Sequence, residues 1–215
     1  MTLEPEKIYN EKTKCYHAPL VAEKRSLMNK QTFTVTYPWA GTPGQNEYKP
    51  ETYFELSVTE EGFAMHITVH ETDPRREHRE HLSFVFEDSC VEWFVNFMPG
   101  KCDRYFNFEV NANGAMNAAY RKDRYDKQLL SPDEIETFGI QTRIWDTYWE
   151  VDYVIPFALI EKYIPDYQYC EGMTAHVNFY KCGDKTKYPH YGVFSTIPLE
   201  KPDFHRPEYF KEIVM

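Results

Sequence analysis

Short runs in which apolar and polar residues strictly alternate, cut at frequent intervals by Pro, Gly, Asn and Asp, restrict this chain more than any other feature of it. Phe63, Met65, Ile67 and Val69 fall on one face of an extended segment, and Ala64, His66, Thr68 and His70 on the other. Between residues 104 and 111 the contrast is sharper: Phe106, Phe108 and Val110 point one way, and Tyr105, Asn107, Glu109 and Asn111 the other. A period of two belongs to a strand whose faces meet different surroundings. Glu60-Glu61-Gly62, Asn113-Gly114 and Asp146-Thr147 lie between such runs, where hairpin turns are expected.

Extended along the chain, this reading predicts strands over Thr32–Trp39, Thr52–Thr59, Phe63–Glu71, Leu82–Phe86, Cys90–Phe97, Arg104–Asn111, Ala115–Arg121, Gly139–Trp145, Tyr148–Ile155, Thr174–Lys181 and Glu208–Met215. One short helix, Pro156–Tyr163, opens on its proline. About ten short strands at even spacing, with no βαβ alternation, predict an all-β fold, an antiparallel β-sandwich with one short helix. At 215 residues, the chain is expected to form a single domain, 1–215, with residues 1–30 a less regular N-terminal arm.

The net charge of -10 argues against nucleic acid as a partner, since a phosphate backbone needs a clustered positive face. The one dense basic stretch, Arg75-Arg76-Glu77-His78-Arg79, is interrupted by acid and reads as a solvated loop. No run approaches the roughly 18 apolar residues of a membrane helix, so no membrane partner is expected. Residues 1–20 carry several charges and no apolar core of a leader. The sequence as given therefore reads as cytoplasmic, or as secreted if a leader has been removed. Five cysteines (Cys15, Cys90, Cys102, Cys170 and Cys182) show no C-x-x-C spacing; free buried thiols are the expectation, with a bridge between two of the five as the alternative.

No nucleophile elbow, P-loop or dinucleotide fingerprint is present. His66 and His70 have helical metal-site spacing, but on a strand they stand about 13 Å apart. His78 and His81, with Glu77 and Glu80, are a second candidate pair in a charged loop. Glu92 and Glu109 on neighbouring strands could form the carboxyl pair of a glycosidase. The polar faces also carry a repeated amide and acid theme: Glu92 and Asn96, then Asn107, Glu109 and Asn111, then His176, Asn178 and Tyr180. Carboxylates and amides are fixed acceptors and donors suited to sugar hydroxyls. A solvated outer sheet face would look the same.

At these residues the sequence resembles the family 9 carbohydrate-binding modules. Asp88-Ser89-Cys90-Val91-Glu92-Trp93-Phe94-Val95 is similar to that family's Asp-Ser-Val-Glu strand, and Phe106-Asn107-Phe108-Glu109-Val110-Asn111-Ala112-Asn113-Gly114 to the strand after it. Trp149-Glu150-Val151, Ile155-Pro156-Phe157, Asn178-Phe179-Tyr180 and the run Phe204 to Phe210 follow in the family's order. The resemblance implies a DOMON-like β-sandwich (immunoglobulin-like or jelly-roll type). It implies non-catalytic binding of an oligo- or polysaccharide, of glucan or xylan type, associated with polysaccharide breakdown. By the resemblance Glu92 bonds sugar hydroxyls, while Phe86 and Phe204 take the places of two clamping tryptophans. Glu109 stands where the family has a basic residue. The expected ligand-binding set is thus Glu92, Glu109, Asn111, Asn178, Phe86, Phe204 and Trp39. No catalytic residue is assigned. Ca2+ (calcium) is the one cofactor implied, with Glu71, Asp73 and Asp88 the acids near the relevant loops. A glycoside hydrolase using Glu92 and Glu109, and an interaction module that has lost its sugar, are the alternative readings.

Overall fold

A computed structural model describes residues 30–43 and 45–215 of the chain. Its strands are β1 (Gln31–Thr34), β2 (Thr52–Val58), β3 (Gly62–Val69), β4 (Cys90–Asn96), β5 (Tyr105–Asn111), β6 (Met116–Arg121), β7 (Lys127–Leu129), β8 (Gln141–Ile144), β9 (Trp149–Pro156), β10 (Thr174–Cys182), β11 (Tyr191–Val193) and β12 (Lys211–Val214). They form two antiparallel sheets. One has the order β1-β2-β3-β9-β8; the other runs β11-β10-β4-β5-β6-β7, with β12 on the remaining part of the β10 edge. The expected β-sandwich is what forms. The expected arm over residues 1–30 lies, but for Lys30, outside the described residues.

The alternating faces explain the packing. Phe54, Leu56, Phe63 and Ile67 from the first sheet meet Trp93, Phe106, Phe108 and Phe179 from the second in one core. Phe63 stacks on Phe97 at a centroid distance of 5.0 Å and meets Trp93 edge-on at 6.1 Å. Offset and edge-on pairs of this kind add to the burial of their area. Gly62 starts β3 where a Cβ would stand 2.0 Å from the Ile155 carbonyl oxygen, so only glycine lets β9 approach there.

Beyond the short strands β7 and β11, which the sequence reading lacks, three features differ from it. Leu82–Phe86 is not a strand. Leu82 has φ of 63°, which interrupts an extended path, and a 3-10 turn at Val85–Glu87 follows. A second helix joins the expected one: besides α2 (Phe157–Tyr163) there is α1 (Pro132–Glu136). Its signal stood in the sequence as Ser131-Pro132-Asp133-Glu134, a capping box with proline at the first turn. Ser131→Ala is expected to cost about 1 kcal/mol, read as a lower midpoint in urea unfolding with an unchanged slope. The third difference matters most for the site. The polar face of β4 and β5 is not a solvated surface: every residue of β5 is buried.

That outer face is covered by the chain that follows β11. Trp39, Phe94, Tyr105, Tyr180, Val193 and Ile197 form a second apolar cluster, with Leu199, Phe204, Tyr209 and Phe210 packed against it. No helix of the described residues is long and apolar enough to cross a membrane.

Candidate functional site

The covering chain leaves a cavity of about 690 Å³ over the outer face of the second sheet. That lies within the roughly 300–1,000 Å³ of ordinary ligand pockets. Antiparallel pairing builds its floor. Glu92 of β4 stands directly opposite Glu109 of β5, which stands opposite Asn117 of β6. All three line the cavity with Cys182 and Arg121. Glu92 and Glu109 are only 3% and 4% exposed.

Glu109 is held by amides: Asn107 donates to its Oε1 at 2.7 Å and Asn117 to its Oε2 at 3.0 Å. Arg121 in turn donates from Nε to the Asn107 carbonyl oxygen. Glu92 accepts from the Cys182 thiol at 3.1 Å. Burial pushes the Glu92 carboxyl well above the usual carboxylate range, and Cys182 and Glu109 add to the rise. Burial raises Glu109 as well, against the opposing pull of Asn117 and Arg121. Two acids facing each other across strands repel when both are ionised. The floor therefore favours a proton on Glu92, which makes that carboxyl a donor as well as an acceptor.

The walls are aromatic on one side and charged on another. Phe86 and Phe204 both line the cavity, and Phe204 rests on Tyr180 with centroids 4.1 Å apart and planes 10° from parallel. Phe84, 64% exposed, stands at the mouth 5.7 Å from Phe86. Arg124, Lys127, Asp184, Asp203 and His205 complete the polar rim. Arg124 reaches Asp203 at 2.6 Å and so ties the β6–β7 turn to the covering chain. His205 accepts or donates through Nδ1 to the Tyr105 hydroxyl at 2.9 Å. Burial, then the Arg121 and Arg124 charges, bring its pKa down to about 3.

Of the seven residues expected to bind ligand, four line this cavity: Glu92, Glu109, Phe86 and Phe204. The other three hold structure around it. Asn178 pairs with the Ser195 backbone in both directions, at 3.0 and 2.9 Å. Trp39 donates from Nε1 to the Leu199 carbonyl at 2.8 Å. Both bonds pin the covering chain, as does the Tyr180 hydroxyl on the Phe204 carbonyl at 3.0 Å. Asn111 bonds the His78 carbonyl at 2.8 Å and Asp88 at 2.9 Å, which fixes the loop before β4. Phe84, Asn117 and Arg121 went unnoticed in the sequence. The alternation of β6 could have found Asn117 and Arg121, since they share a face. Phe84 had no such signal, because its backbone follows no period.

The acids implied for calcium do not converge. Glu71 Oε2 accepts from Trp149 at 3.2 Å and from the Ser89 hydroxyl, and faces the Lys181 ammonium at 3.5 Å. Asp88 takes the His78 amide at 2.8 Å and lies 3.3 Å from the Arg75 guanidinium. Asp73 is exposed in a left-handed turn, with φ of 48°. A calcium ion needs about six to eight oxygens, and protein cations stand beside two of these three acids, so the set does not fit one. The histidine pairs are divided too. His66 bonds Asp152 at 2.7 Å. His78 faces Glu87 at 3.1 Å, while His81 faces Glu136 at 3.3 Å. Cys90, Cys102 and Cys182 are free thiols, as expected, but Cys170 is disulfide-bonded, which corrects the expectation for that residue.

A crystal structure from Bacteroides uniformis ATCC 8492, of a protein provisionally named carbohydrate-binding, is 29% identical. It aligns over 86% of this chain and 85% of its own, with a TM-score of 0.71. A family 9 module from Caldicellulosiruptor kristjanssonii in complex with cellotriose shares the fold at 12% identity and a TM-score of 0.57, covering 86% of this chain and 81% of that one. A structure of such a module from the same organism with glucose gives 12% and 0.55, over 85% and 83%. No curated protein matches the chain. The sequence model described as Carbohydrate-binding family 9 matches residues 24–215. Matched over nearly its whole length, and folded as the sandwich seen in that family's solved modules, this chain belongs to carbohydrate-binding family 9.

Proposed function

We propose that this protein binds the end of an oligosaccharide in the cavity above β4, β5 and β6, without catalysing its cleavage. The observation that carries the reading is the opposition of Glu92, Glu109 and Asn117 on a buried floor beneath Phe84, Phe86 and Phe204. A sugar presents hydroxyls around its edge and C–H groups on its faces. Fixed amides and carboxyls answer the first, and aromatic faces answer the second. Glu109 and Asn117 accept from and donate to hydroxyls; Glu92, carrying its proton, does both. Phe84 and Phe204 flank the ring. Asn178, Trp39 and Asn111 act at one remove, by holding the wall and loop in place.

A glycosidase needs two carboxyls on opposite sides of the scissile bond. Glu92 and Glu109 are neighbours on one floor, and Glu109 is clamped by two amides, which supports binding over hydrolysis. A module that had lost its sugar would show an apolar patch in place of this polar cavity.

Calorimetric titration with glucose and cellotriose tests the proposal. Saturable heat is expected from the unaltered protein, and no release of reducing sugar. Phe84→Ala, at an exposed ring that the core does not need, is expected to weaken binding about fivefold, near 1 kcal/mol. Glu109→Ala is expected to abolish measurable heat. Silence toward both sugars and a wider glycan panel, or full affinity in both variants, would remove the site.

A further inference from the structure

We propose that Cys90, Cys182 and Glu92 form a binding site for a thiophilic divalent cation, zinc above all, in the floor of the cavity. The inference does not rest on sugar binding. It starts from register. Cys90 of β4 and Cys182 of β10 are directly paired across the two strands. Glu92 follows Cys90 by two residues, so the period of a strand returns it to the same face. The two sulfurs and a Glu92 oxygen lie within 4.8 Å of one another, which no other such trio does among the described residues. Zinc–sulfur bonds of about 2.3 Å and zinc–oxygen bonds of about 2.0–2.2 Å place the ligand atoms of a tetrahedral ion roughly 3.5–3.8 Å apart. Small side-chain rotations close the difference.

The chemistry of the set selects the ion. Two thiolates and one carboxylate suit zinc and exclude magnesium and calcium, which take oxygen ligands. Both sulfurs are free, and Val85 and Ala115 pack beside them, so the dry side of the site is apolar. Three protein ligands leave one of four positions open. Cys182 and Glu92 line the cavity, so the open position faces it and a water or an incoming hydroxyl completes the shell. As each zinc–sulfur bond forms, a thiol proton leaves for solvent, and the Glu92 proton leaves as its oxygen binds. No electron moves. A bound ion would draw Glu92 off the Cys182 thiol and change what the floor offers a ligand.

The test is titration of the reduced protein with Co2+, followed by the sulfur-to-cobalt charge-transfer absorption in the near ultraviolet. One equivalent of strongly absorbing complex is expected, bleached by equimolar Zn2+. Cys90→Ser and Cys182→Ser are expected to lose the band and at least tenfold in affinity; Cys102→Ser, in a thiol bonded to Tyr120 elsewhere in the fold, keeps both. Zn2+ is also expected to slow alkylation of Cys90 and Cys182 in the unaltered protein, a readout that needs no variant to fold. Folded, reduced protein that gives no band and no protection overturns the proposal, as does a band that survives in both serine variants. Neither result bears on sugar heat, which is measured separately without metal.

Discussion

Lys181→Met is expected to lower stability by about 3–5 kcal/mol, the usual cost of removing one partner from a buried ion pair. The Lys181 ammonium is 0% exposed. It donates to His190 Nε2 at 2.7 Å, to the Cys182 carbonyl at 2.9 Å and to Ser89 Oγ at 3.0 Å, and faces Glu71 at 3.5 Å. Burial pushes the Glu71 carboxyl up, but Lys181 and Ser89 outweigh it, so Glu71 sits below the usual range. Remove the ammonium and a carboxylate stays in the core with hydroxyl and indole donors but no cation. For a chain of this length the loss amounts to roughly 6–20 °C in Tm. The double variant Lys181→Met, Glu71→Met is expected to recover most of it, since an apolar pair of similar volume replaces a buried ion pair at little cost. Denaturant unfolding of the two single variants and the double variant checks this. A single-variant loss under about 1 kcal/mol would mean that water reaches the pair.

The second large effect is on acid stability. His190 and His205 are both brought to a pKa of about 3, each by burial first; Lys181 then acts on His190, and Arg121 and Arg124 on His205. In the unfolded chain each takes a proton near pH 6.5. The unfolded state therefore binds more protons between about pH 6.5 and 3, and stability falls as pH falls through that window. Each histidine contributes a slope of about 1.4 kcal/mol per pH unit. Glu92 and Glu109 act with the opposite sign. Their raised pKa values favour the fold at low pH, and that stability is lost as pH rises. Above roughly pH 4.3, where unfolded glutamates ionise, the two pairs oppose each other. His205→Asn is expected to flatten the acid limb by one proton. Glu92→Gln is expected to steepen it and to raise stability at neutral pH. Unfolding free energies at several pH values measure both; an acid limb unchanged in both variants would mean that neither group titrates as its surroundings dictate.

A site residue that destabilises the fold where the protein works is a common mark of function over stability. On the proposed reading of the cavity, Glu92 fits that description. It is an acid facing another acid in a buried floor, and a glutamine of the same shape would rest there at lower cost.

Much of the sandwich was legible in the sequence because strand period is local. Phe106, Phe108 and Val110 announced the inner face of β5 without any knowledge of what lay across from them. Hairpins at Glu60-Glu61-Gly62 and Asn113-Gly114 fixed register in the same way. Elements without a period were misread or missed. The three residues of β7 and of β11 are too few to alternate, and the left-handed Leu82 bent a run that looked extended.

The site divides along the same line. Alternation placed Glu92 and Glu109 on one side of their strands, and the family resemblance added Phe86 and Phe204. Which polar residues face a cavity, and which close a loop, depends on what covers the sheet. Asn111 and Asn178 stand on the same face as Glu109 and Glu92, yet their amides answer His78, Asp88 and Ser195. The covering chain comes from residues about 80 to 120 positions later than β4 and β5 in sequence, and no local pattern encodes where it lands. The sequence by itself determined the longer, alternating strands, their inner faces and the acids of the floor, because backbone periodicity and turn chemistry act over a few residues. Only the tertiary structure decided that those acids lie buried opposite each other, that two thiols and Glu92 converge, and that Phe84 guards the opening, because burial and proximity are set by contacts between segments far apart in the chain.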